Sequence, residues 1–144
     1  MIVYWFIEII STFVEIFMSI IFCSIVFRDV KINKSKCFLY SIIPVIMVIL
    51  LNHIQLTSKI NTVIIIIIDF ISVFLFYRKS ILKIGISVLI YFGLLILSDI
   101  LVGGLISSFT DITISDISDV FSPVRVIAIL LSKTILISFV LIIG

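Results

Sequence analysis

Val63-Ile64-Ile65-Ile66-Ile67-Ile68-Asp69-Phe70-Ile71-Ser72-Val73-Phe74-Leu75-Phe76-Tyr77-Arg78-Lys79 is the stretch whose reading decides the fold. Its apolar character reaches back to about Ile60 and stops at Arg78-Lys79. Isoleucine runs also suit strands, so length must arbitrate. A membrane barrel strand needs about 10 residues with strict alternation, whereas a spanning helix needs about 20 mostly apolar ones. No alternation occurs here, and the length fits a helix. Asp69 sits at its middle. A charge there costs about 2.5–3.5 kcal/mol on insertion scales. The Ile, Val, Leu and Phe residues of the same stretch contribute roughly −4 to −8 kcal/mol. Insertion is feasible, provided the acid faces other helices or water.

The rest of the chain agrees. Its 144 residues are 63% apolar and 12% charged, and its mean hydropathy is +1.53. Soluble domains have about 45–50% apolar and about 25% charged residues. A fold this small leaves much of its surface in water, and the polar residues here are too few to cover it. A soluble domain, a disordered region and a nucleic-acid binder are therefore excluded. The net charge of +2 says little by itself. Abundant isoleucine and a single alanine, Ala128, fit the codon usage of an AT-rich bacterial genome.

The expected architecture is all-α: a single polytopic membrane helix bundle over 1–144, with about five transmembrane helices. The spans run roughly over 2–27, 37–56, 60–77, 84–109 and 123–143. The first is no cleavable signal peptide: it lacks a basic start and a small-x-small site and carries Glu8 and Glu15. Pro44 should kink the second span, and Gly103-Gly104 should break the fourth. Orientation follows from lysine and arginine. The first loop carries Arg28, Lys31, Lys34 and Lys36, and the third carries Arg78, Lys79 and Lys83. The second has only Lys59, and the fourth has Asp111, Asp116 and Asp119 before Arg125. Loops one and three are therefore cytoplasmic. The N-terminus is outside, the C-terminus lies at the cytoplasmic face, and the protein belongs to the bacterial cytoplasmic membrane, in contact with lipid. The sequence closes on the apolar Val140-Leu141-Ile142-Ile143-Gly144, which predicts a longer native chain.

Five charges lie well inside these spans: Glu8, Glu15, Asp69, Asp99 and Lys133. At about 100° per residue, Tyr4, Glu8, Ser11, Thr12, Glu15 and Ser19 share one side of the first helix. This seam lines either a cavity or a helix–helix contact with hydrogen-bonded or protonated acids. Glu15, Asp69 and Lys133 lie near the midpoints of their spans, and Asp99 slightly outward of its own. An ion or proton pathway and a structural ion pair both fit this layer. Lys133 needs an acidic partner, because an isolated ammonium is least tolerated at mid-depth. Asp99 is the first candidate, since spans four and five are consecutive. Asp69 comes second and the first-helix acids third.

Other chemistry is missing from the sequence. His53 lies at the outer end of its span, away from Cys23 and Cys37, which argues against a cysteine peptidase. The two cysteines read as small apolar residues near a membrane edge. No phosphate loop, zinc-like cluster or nucleophile elbow occurs, so no cofactor or metal is expected. In the fourth loop, Ile114, Ile117, Val120 and Phe121 fall on one side of a segment carrying Asp116 and Asp119. It reads as a short surface-lying helix. Asp111, Asp116, Asp119 and Phe121 are the candidate ligand-facing residues. Pro123 suits the first turn of the helix that follows.

The order of these features resembles the N-terminal membrane sensor region of the peptide-quorum-sensing histidine kinases of Firmicutes, the accessory-gene-regulator type with a GHKL ATPase domain. The resemblance is carried by Glu8-Ile9-Ile10-Ser11-Thr12-Phe13-Val14-Glu15-Ile16-Phe17, Tyr77-Arg78-Lys79-Ser80-Ile81-Leu82-Lys83, Leu97-Ser98-Asp99-Ile100-Leu101-Val102-Gly103 and Ser132-Lys133. It implies membrane helices that receive an extracellular, often cyclic, peptide, with a helical phosphoacceptor domain and an ATP-binding domain following them. Those last two domains are absent from this sequence, and His53 is on the wrong side to accept a phosphoryl group. The expected function is thus signal reception by a two-component sensor module that is not itself an enzyme and self-associates. A stand-alone membrane subunit and a small transporter using the mid-membrane acids are the alternatives.

Overall fold

A computed structural model describes residues 2–28, 34–53, 58–110 and 122–143. These residues form five α-helices and no strand: α1 (Ile2–Phe27), α2 (Lys34–His53), α3 (Ser58–Tyr77), α4 (Ile81–Phe109) and α5 (Pro123–Ile143). Three are long and apolar enough to cross a membrane, over Phe6–Phe27, Ile81–Phe109 and Pro123–Ile143. Within the residues whose side chains are described, α2 and α3 contribute the shorter apolar helices Ser35–Leu50 and Val63–Tyr77. Several helices begin before their apolar stretch: Lys34 and Lys36 fall in the first turn of α2, and Lys83 lies inside α4. Backbone hydrogen bonding runs on past the apolar segment, so helix limits and span limits differ.

The bundle is built around α1, which packs against all four other helices. Near the C-terminal end of α1, Ile20, Cys23 and Phe27 form a cluster with Cys37, Val73, Tyr77, Ile84 and Val88. The Tyr77 hydroxyl donates to the Ile20 carbonyl at 2.6 Å, and its ring meets Phe27 edge-on at 5.3 Å. A second cluster joins Met18 and Phe22 to Tyr91, Leu136 and Val140. Cys23 and Cys37 are free and buried in the first cluster.

The distribution of residue types differs from a soluble core in carrying many buried serines and many exposed large apolar side chains. Ser19, Ser24, Ser41, Ser72, Ser87, Ser98 and Ser132 are buried, while Phe38, Ile43, Met47, Leu89, Ile100 and Leu130 are exposed. Lipid tails give no hydrophobic drive between helices, so membrane helices bury small residues that permit close approach. The face of α2 illustrates it: Cys37, Ser41, Pro44, Val45 and Val48 turn inward, one to two helical turns apart. Some of the buried hydroxyls are satisfied within their own helix. Ser41 donates to the Cys37 carbonyl at 2.9 Å and Ser87 to the Lys83 carbonyl at 2.8 Å.

Two sequence expectations meet local geometry. Pro44 lies inside α2 and removes the donor that the Tyr40 carbonyl would otherwise receive. The expected break at Gly103-Gly104 does not occur: α4 continues through both to Phe109. Glycine weakens a helix by only about 1 kcal/mol, and an apolar environment offers its backbone no partner outside the helix. Ser107 and Ser108 then donate to the Gly103 and Gly104 carbonyls at 2.7 and 2.6 Å. Helices α1 and α3 each end on an arginine in the left-handed region, Arg28 and Arg78, both with φ of 48°. Their amides close the last turn onto Ser24 and Phe74, and each charge sits at the negative end of its helix.

Candidate functional site

The polar seam of α1 follows from helical spacing. Glu8, Ser11, Thr12 and Glu15 lie at i, i+3, i+4 and i+7, so they stack on one face. That face turns toward α4 and α5 and lines a cleft of about 360 Å³ with Asp99, Arg125, Ser132 and Lys133. Val102, Gly103, Ala128 and Ile129 complete its walls.

Two ion pairs tie α1 to α5 along this cleft. Near the N-terminal ends of both helices, Arg125 donates to Glu8 Oε1 from Nε at 3.0 Å and Nη2 at 2.6 Å. Two turns deeper, Lys133 Nζ lies 2.6 Å from Glu15 Oε1 and 3.9 Å from Asp99 Oδ1. Both pairs advance in the same chain direction, so α1 and α5 run parallel. The acids have further support. Ser11 donates to Glu15 Oε1 at 3.4 Å, Ser132 donates to Asp99, and Ser98 and Ser132 lie 3.3 Å apart. The Tyr91 hydroxyl bonds the Glu15 carbonyl at 2.6 Å, pinning α4 to α1 at the same level.

Four of the five charges that the sequence places inside its expected spans therefore meet in one place: Glu8, Glu15, Asp99 and Lys133. The order of partners for Lys133 differs from expectation. Chain adjacency favoured Asp99, but Glu15 is the closer, because α5 returns alongside α1 and brings the two midpoints level. Asp99 side chain is 52% exposed against 26% for Glu15. Asp69 is elsewhere. It is buried where α3 meets α1 and accepts a hydrogen bond from Ser19 at 2.6 Å.

Arg125 is the residue that sequence reasoning missed, having counted it only as a loop charge. Its signal was present: it precedes Lys133 by eight residues, close to two turns, so both project to similar sides of α5. Asp111, Asp116, Asp119 and Phe121, and the side chain of Tyr4, lie outside the described residues. Among the described residues no group of three or more His, Cys, Asp or Glu side chains is placed to hold a metal.

The described residues are all helical, and three of the helices are long and apolar enough to cross a membrane. Comparison with protein-family models, curated proteins and solved structures yields no match.

Proposed function

We propose that the chain is the signal-reception module of a sensor histidine kinase of the accessory-gene-regulator type. All five helices cross the bacterial cytoplasmic membrane, with the N-terminus outside. The observation that carries this reading is the cleft between α1, α4 and α5. Its charged lining runs from Glu15 and Lys133 at mid-helix to Glu8 and Arg125, near the ends of α1 and α5 that the positive-inside rule assigns to the outside. An extracellular peptide with its own charged groups would compete there with the Arg125–Glu8 pair. The same α5 whose first turn holds Arg125 ends at the opposite face, where an effector domain would follow. A ligand that moves the start of α5 against α1 thus has a rigid element through which to act.

The gene sequence beyond Gly144 tests the kinase assignment. A continuous reading frame through a helical segment with a phosphoacceptor histidine and into an ATP-binding domain is expected. A stop codon directly after Gly144 overturns it.

A further inference from the structure

Thr12 and Glu15 line two spaces. One is the cleft described above; the other is a chamber of about 80 Å³ between α1, α2, α3 and α4, lined also by Asp69, Tyr91, Val48 and Phe92. Its volume matches two or three waters at about 30 Å³ each. Asp69 is 2% exposed. Ser19 serves one of its oxygens, and the other, Oδ1, is buried without a hydrogen-bond partner.

Among the described residues, the polar groups around the chamber are all acceptors. A hydroxyl has one proton to give. Thr12 gives its proton to the Glu8 carbonyl at 2.9 Å, and Tyr91 gives its proton to the Glu15 carbonyl at 2.6 Å. What remains for the chamber is lone pairs: two carboxylates, a threonine oxygen and a phenol oxygen. Lys133 balances one carboxylate from the cleft side of Glu15. Among the described residues, the second negative charge, on Asp69, has no counter-charge, in a setting where burying one is costly.

We propose that Asp69 and Glu15, with the oxygens of Thr12 and Tyr91, hold one small monovalent cation, a sodium ion or a proton, which arrives from the cleft past the Lys133–Glu15 pair. The deficit is a single charge, and the hard oxygen donors suit a hard cation. Glu15 faces Lys133 on one side and the cation on the other, so occupancy of the chamber is felt in the cleft. The titratable groups around Asp69 are Glu15 and Cys23 on α1 and Tyr91 on α4, while α2 contributes the apolar Val48. The site stands independently of the kinase reading.

The test uses the purified chain in phosphatidylcholine nanodiscs at constant ionic strength. Its unfolding temperature is followed while choline chloride is replaced by sodium chloride at alkaline pH, and across a pH series in choline chloride. A ligand that binds only the folded state raises this temperature saturably. The wild type is expected to gain several degrees from sodium, or from falling pH without sodium, and Asp69→Asn to lose that response. A sodium response alone assigns the metal ion, and a pH response alone assigns the proton. Tyr91→Phe, which keeps the ring and the packing, should raise the half-saturating cation concentration severalfold. A response that persists unchanged in Asp69→Asn overturns the site, as does a wild type indifferent to both cations. If Asp69→Asn does not fold, unaltered cation affinity in both Tyr91→Phe and Thr12→Val overturns it. A stop codon after Gly144 would leave this result untouched.

Discussion

Replacing Lys133 by methionine removes the cation from the middle of the bundle while keeping most of its volume. The Lys133 side chain is 12% exposed and its closest partner, Glu15 at 2.6 Å, is 26% exposed. Breaking a buried pair costs about 3–5 kcal/mol in soluble cores. Polar couplings inside membranes are smaller, about 0.6 kcal/mol on average and up to about 1.7. Glu15 also keeps the hydroxyl of Ser11. These limits place Lys133→Met near 2 kcal/mol of destabilisation. A double-mutant cycle with Glu15→Gln should return a coupling of about 1–2 kcal/mol, because the second substitution removes the charge the first one strands. The matching cycle with Asp99→Asn should return less than about 0.5 kcal/mol. Coulomb attraction falls with distance, here from 2.6 to 3.9 Å, and Asp99 is half-exposed and retains Ser132. Reversible unfolding by dodecyl sulfate in mixed micelles measures both. A coupling to Asp99 equal to or larger than that to Glu15 would refute the assignment of Glu15 as the main partner.

The Arg125–Glu8 pair is more open, at 29% and 26% side-chain exposure, so Arg125→Met should cost only about 1 kcal/mol and be less damaging in high salt. Arg125→Lys should recover part of that loss, since an ammonium cannot reproduce the two guanidinium contacts. In a cysteine-free background, single cysteines at Lys31 and Lys83 should resist an impermeant maleimide applied to intact cells. Cysteines at Ser115 and Asp119 should react, and the reverse pattern would invert the bundle. Tyr77→Phe removes the hydrogen bond to the Ile20 carbonyl and should lower unfolding stability by about 1 kcal/mol with the packing cluster intact.

The helices and the polar face of α1 were legible in the sequence because both depend on local order. A run such as Ile64–Ile68 within a long apolar segment states its helix by length, and Glu8, Ser11, Thr12 and Glu15 state their face by spacing. Pairings between helices were legible only in part: α4 and α5 are neighbours and Asp99 lies 3.9 Å from Lys133, but the closer partner, Glu15, depends on α5 returning to α1. Chain adjacency put Asp99 against Lys133, but α1 packs on every other helix and so reaches Lys133 as well. Glycine at 103 and 104 misled for a related reason. Glycine ends helices where water competes for the freed backbone groups, and α4 keeps its own hydrogen bonds there. Arg125 was hidden by its position at a span edge, where a positive charge reads as topology rather than as chemistry.

The arrangement of contacts on α1 also limits how the bundle can move. Glu8 and Glu15 hold α5 at two levels, the Glu15 carbonyl holds α4, Ser19 holds Asp69 of α3, and the Ile20 carbonyl holds Tyr77. Sliding α1 along its axis would strain all of these together. A pivot of α5 is less costly. The Arg125–Glu8 pair is the more exposed of the two links and the one nearer the N-terminal ends of α1 and α5, whereas Lys133 is the more enclosed. A charged ligand that displaces Arg125 would release the first turn of α5 while the Lys133–Glu15 contact stays closed. The start of α5 would then swing about a fulcrum at mid-depth, and its far end would move the opposite way. Under the sensor reading, this makes Lys133 the pivot and Arg125 the trigger. Loss of Arg125 should mimic the liganded state, whereas loss of Lys133 should uncouple the two ends of α5.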